Sequence, residues 1–152
     1  MNLATQRLDR FAAYVSEAQL GEVPRTAVLY CGDNPARTTE IAFDPEVFGI
    51  LNRAEQTTYG VATLREAIGR THATACLMAY CAPLGTALRE FMARNADLSR
   101  VTAPEVLILN YESATVGVLR VYPVTRDAGA IRPGVPVNFR NPKRWFANDF
   151  LA

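Results

Sequence analysis

Side chains that hold metals or build disulfide frameworks are scarce in this sequence. It has one histidine, His72, and three cysteines, Cys31, Cys76 and Cys81, with no Cys-x-x-Cys pair. An odd, unpatterned set of thiols excludes a disulfide scaffold and fits a reducing compartment. Long hydrophobic runs are missing too: none approaches the ~20 residues that cross a bilayer, so no membrane partner is expected. Neither sign of charge is in excess, since 16 Lys and Arg face 15 Asp and Glu for a net charge of +1. That balance argues against a broad contact with nucleic acid or anionic lipid. The opening residues, MNLATQRLDR, lack the apolar core of a signal peptide, so export is not expected and a cytoplasmic location is.

What is present is the composition of a soluble globular domain: 152 residues, 49% hydrophobic and 20% charged. A chain of that size forms one domain and buries roughly two-thirds of its unfolded surface. Leu8, Phe11, Ala12 and Val15 share a helical stripe within residues 3–19, which Gly21 and Pro24 end. RTAVLYCG and RTTEIAF read as two strands around a Gly-Asp-Asn-Pro turn, hence a hairpin. A helix is expected from about Leu51 to Ile68. ATACLMAY, residues 73–80, is the apolar run of a central strand covered on both faces. Residues 83–95 carry a second amphipathic pattern, followed by the strands EVLILN and TVGVLRVY. The tail, 126–152, holds Pro133, Pro136 and Pro142 and reads as mostly irregular. Alternation of this kind predicts an α/β fold, a mixed sheet with helices on its faces.

Two segments in that order resemble the cytidine deaminase family. RAEQTT, beginning at Arg53, is similar to the family's (H/C)AE helix start, whose His or Cys binds zinc. YCAPLGTALREFM is similar to its PCxxC segment and the helix that follows, and EVLILNYESATVGVLRVYPV resembles its last two strands. The resemblance covers roughly residues 5–125, and it implies one cytidine deaminase-like domain over residues 1–125. It implies a three-layer cytidine deaminase-like fold with a mixed five-stranded sheet and helices on both faces.

Zinc deaminases hold the metal with three protein ligands and leave the fourth position to water, while a nearby Glu shuttles protons. Here the first ligand position is Arg53, a permanent cation. Cys81 matches the first motif cysteine, and Leu84 stands where the second would be. Glu55 matches the proton-shuttling Glu. Two of three ligands are therefore replaced, and no metal or other cofactor is expected. His72 cannot rebuild the site, because the central strand separates it from Cys81 by ~26 Å at ~3.3 Å per residue.

The resemblance thus implies a metal-independent enzyme acting on a small nucleoside-like or heterocyclic substrate. The reaction would be a hydrolysis, a cyclisation or dehydration, or a group transfer. Glu55 would be its general acid/base, and Cys81 a nucleophile or pocket-lining thiol. Arg53 would anchor an anionic group through its donor fork, and Asp44, upstream of Arg53, falls where the family presents a ribose-contacting carboxylate. Each residue also has a plainer reading. Glu55 suits the first turn of any helix, and Cys81 suits a buried strand end. Arg53 could face solvent or pair with Glu55, and Cys76 reads as core. The second function open to the sequence is a non-catalytic ligand-binding or subunit-interaction protein that kept the fold and lost zinc. The tail mixes Phe139, Trp145, Phe146 and Phe150 with Arg140, Lys143 and Arg144. It is expected to pack on its own domain or on a neighbouring subunit of a homo-oligomer, dimer or tetramer, rather than bind nucleic acid.

Overall fold

The computed structural model describes residues 3–15, 26–32, 37–83, 105–127 and 130–140. Its elements run α1 (Leu3–Val15), β1 (Thr26–Tyr30), β2 (Thr38–Ala42), α2 (Pro45–Ile50), α3 (Arg53–Thr71) and β3 (Ala75–Pro83). β4 (Glu105–Ser113), β5 (Gly117–Asp127), β6 (Ala130–Pro133) and β7 (Val137–Arg140) follow. The strands form one sheet of seven in the order β2-β1-β3-β4-β5-β6, with β7 also paired to β5.

The apolar run of β3 does lie inside the sheet, between β1 and β4. Period-two alternation sends its side chains to two cores. Ala75, Leu77, Ala79 and Cys81 join Tyr30, Leu107, Leu109, Tyr111, Tyr122 and Val124 in a cluster with Leu8 of α1. Cys76 and Met78 join Ala27, Leu29 and Phe43 with Leu64, Ala67 and Ile68 of α3. α1 thus covers one face of the sheet and α3 the other. Apolar side chains are required at both parities, which is why β3 reads as an unbroken hydrophobic run.

Two expectations are corrected. The sheet is not mixed: every described pairing is antiparallel. Nor does it have five strands, because the segment read as irregular supplies β6 and β7. The prolines of that segment sit where a sheet tolerates them. Val124 pairs with Pro133 and Val121 with Val137, so Tyr122 and Pro123 on β5 oppose Gly134, Val135 and Pro136. This is a bulge in an edge strand. The Gly134 N–H donates to the Pro123 carbonyl at 2.7 Å. The N and C=O of one strand residue point the same way, so the N–H that Pro123 lacks would have faced the bulge, not the β4 ladder. The helix expected after residue 83, including Leu84, lies outside the described residues, as do Trp145, Phe146 and Phe150.

Polar fasteners hold α1 and α3 to the sheet. Arg7 donates to the Tyr111 hydroxyl at 3.0 Å and the Gly32 carbonyl at 2.7 Å, and its guanidinium stacks on Tyr30. Arg120 on the same face pairs with Asp9 of α1 and donates to Asn138 Oδ1 at 2.8 Å. At the end of α3, His72 takes a left-handed conformation (φ 53°) and its N–H donates to the Ile68 carbonyl. Thr74 then staples the turn: its hydroxyl accepts from the Gly32 N–H at 3.1 Å, and its own N–H donates to the Tyr30 carbonyl at 2.8 Å.

Candidate functional site

Arg53, Glu55, Asp44 and Cys81 gather at one end of the sheet but not in one place. α3 ends in a short turn into β3, so the helix runs back along the strand and its start lies at the Cys81 end. β2, parallel in direction to β3, delivers Asp44 to the same end. The faces differ. Cys81 is buried in the cluster on the α1 side, whereas α3 packs on the opposite side. The sheet itself stands between the Glu55 helix and the Cys81 thiol, and the structure does not bring these two together.

The two carboxylates have local structural duties. Asn52 caps α3: its side chain accepts from the Glu55 N–H at 2.9 Å, and Glu55 Oε1 accepts from the Asn52 N–H at 3.1 Å. This reciprocal box satisfies two of the backbone donors that a helix start leaves open. Asp44 satisfies one such donor at the start of α2, accepting from the Glu46 N–H at 2.9 Å. Both carboxylates are exposed. Arg53 is the first residue of α3. Among the described residues no three His, Cys, Asp or Glu side chains come together as a metal would need.

The sequence reading missed a buried polar seam on the α3-side face of β3 and β4. In register, Cys76 stands opposite Glu112 and Met78 opposite Asn110. Parity puts Tyr80 on the same face, two residues beyond Met78. Asn110 and Glu112 are 0% and 1% exposed, inside a strand whose other central residues are apolar. The Asn110 amide has no hydrogen-bond partner at either its nitrogen or its oxygen. Burial drives the Cys76 thiol far above its usual range, and the Glu112 charge across the ladder pushes it the same way. Tyr80 is raised to about 12 by burial first and Glu112 second. The thiol and phenol therefore stay protonated at neutral pH. Cys76 is no thiolate nucleophile here, and the seam instead offers fixed donors and acceptors. The one signal in the sequence was Asn110 and Glu112 at the same parity within EVLILNYES.

No family model, curated protein or solved structure matches the chain.

Proposed function

We propose that the chain binds a small polar ligand on the seam of Cys76, Tyr80, Asn110 and Glu112, and that it works as a binding protein rather than through a Glu55–Cys81 catalytic pair. The observation that carries this reading is the Asn110 amide. Burying such a group without a partner costs about 1–3 kcal/mol, and a leucine of similar size would avoid that cost. A donor and an acceptor side by side suit a ligand that presents the complementary pair, such as a carboxamide or the edge of an amino-heterocycle. The resemblance of RAEQTT and YCAPLG to the cytidine deaminase motifs supports the same compound class, nucleoside-like or heterocyclic. It also underlies the finer proposals of a deaminase-like scaffold and a homo-oligomer. A cytoplasmic location is supported by the odd, unpatterned set of three cysteines.

The test is a panel of carboxamides and amino-heterocycles screened by native mass spectrometry and thermal shift against wild type and Asn110→Leu. Wild type should bind members of the panel that Asn110→Leu does not. The variant should melt about 2–6 °C higher, because removing an unpartnered amide gains about 1–2 kcal/mol in a chain of this size. A variant that keeps the wild-type ligand profile would overturn the proposal.

A further inference from the structure

The buried polar seam has a direction and a sign. Cys76, Met78 and Tyr80 of β3 stand opposite Glu112, Asn110 and Ile108 of β4 on one face of the sheet. Cys76, Asn110 and Glu112 are buried, whereas Tyr80 is half-buried, so the seam meets solvent at its Tyr80 end. From that end Asn110 comes first. Glu112 lies two residues deeper along β4, about 7 Å further at ~3.3 Å per residue. The two groups differ in kind. The Asn110 amide offers a donor and an acceptor, and neither has a partner. Glu112 offers a carboxylate, whose charge adds to burial in raising Cys76 opposite it and Tyr80 at the far end. Asn110 stands between those two groups and lies in the same negative field.

Resting on the seam as the binding site, we propose that Glu112 makes its ligand an N–H-rich base, a ring with an amino or amidine edge at its inner end, and selects it against carboxylates and phosphates there. The Asn110 amide alone is indifferent to charge, because a carboxamide, a lactam or one oxygen of an acid can each meet it. Glu112 removes that indifference. An ionised carboxylate only accepts, so the inner end of the ligand must donate. An amino group beside a ring nitrogen does this through a charge-assisted bond. An acid in the same place sets two negative charges a few ångströms apart and away from water, where their repulsion is strongest. The preferred ligand therefore enters amino end first and leaves its carboxamide or lactam edge at Asn110.

The experiment is titration calorimetry of the full chain with three compounds that share one carboxamide: 6-aminonicotinamide, nicotinamide and 6-carboxynicotinamide. The varied group lies across the ring from the carboxamide, so Asn110 holds one end while Glu112 meets the other. Wild type should bind the amino compound about tenfold more tightly than nicotinamide, and the carboxylate about tenfold more weakly. Glu112→Gln, checked for folding by circular dichroism, should bring the three within about threefold of one another, because an amide can donate as well as accept. Binding that Asn110→Leu leaves unchanged would overturn the seam as the site, and this inference with it. Equal affinities in wild type, all lost in Asn110→Leu, would leave the seam standing and overturn selection by charge. So would an order of affinities that Glu112→Gln leaves unchanged, or no binding by any of the three. If Glu112→Gln does not fold, the wild-type order decides: the amino compound first sustains the proposal, and the carboxylate equal or first overturns it.

Discussion

The guanidinium of Arg7 lies 4.2 Å from the centroid of the Tyr30 ring, close enough for a cation–π contact under the first helix. Burial raises the Tyr30 phenol above its ordinary value while Arg7 pulls it down, so burial is the larger effect. The same guanidinium serves the Tyr111 hydroxyl and the Gly32 carbonyl, and one side chain joins α1, β1 and β4. Arg7→Ala should cost about 2–4 kcal/mol in urea unfolding, since it removes two charge-assisted bonds and leaves their acceptors poorly satisfied. Arg7→Lys should recover part of this, because an ammonium keeps the charge but not the fork. Loss within 0.5 kcal/mol for the alanine variant would show that α1 is held by its apolar stripe alone.

Stability should decline in alkali through the polar seam. Burial, with Glu112 adding to it, raises both Cys76 and Tyr80 in the folded chain above their ordinary values of 9.0 and 10.0. Below pH 9 each is protonated folded and unfolded, and contributes no slope. As pH rises past 9 and then 10, the unfolded chain releases these protons first and the folded state is progressively disfavoured. Urea midpoints measured from pH 7 to 11 should fall above pH 9, and Tyr80→Phe should flatten the fall above pH 10. An unchanged slope in that variant would mean the phenol is not held in its neutral form.

Glu55 provides a direct contrast between helix capping and proton transfer. Asn52→Ala should destabilise the chain by about 1 kcal/mol through loss of the cap. Glu55→Gln should change stability by less than about 0.5 kcal/mol, because a glutamine oxygen can accept from the same backbone N–H. Chemical denaturation of both variants checks this. A large loss in Glu55→Gln would require the carboxylate charge itself.

Two glycines should respond oppositely to alanine. A Cβ on Gly134 would lie 2.9 Å from Pro123 Cγ, in a ring that cannot swing away. Gly134→Ala should therefore cost about 1–3 kcal/mol. A Cβ on Gly69, within α3, would meet no atom of the described residues within 4 Å, so Gly69→Ala should gain about 0.5–1 kcal/mol. Thermal melts of the two variants moving in the same direction would contradict the environments assigned to them.

Much of the element order was legible because period carries it. The stripe of Leu8 and Phe11, the hairpin of β1 and β2, and the run of β3 each follow from side chains repeating at 3.6 or 2. Strand direction was not legible. A strand buried on both faces looks apolar whether its neighbours are parallel or antiparallel, so the mixed sheet was an inference from alternation alone. β6 and β7 were hidden by Pro133 and Pro136, whose tolerance depends on a bulge that no local pattern announces. At the site, counting residues already places Cys76 and Cys81 on opposite faces. Which face α3 would cover depends on packing, and on that the Glu55–Cys81 pairing turned. Asn110 could not be distinguished from a residue at a wet edge until its burial was known.

The contacts of α1 also set an order of events in time. Arg7 reaches Tyr111 across 104 positions, and Asp9 reaches Arg120 across 111. α1 is therefore fastened by strands made more than a hundred residues after it. At ~5–20 residues per second, its apolar stripe waits roughly 5–20 seconds for the β4–β5 hairpin. During that interval Leu8 and Phe11 are available to the wrong partners. Refolding from denaturant, where every strand is present at once, should give a higher yield than synthesis without chaperones.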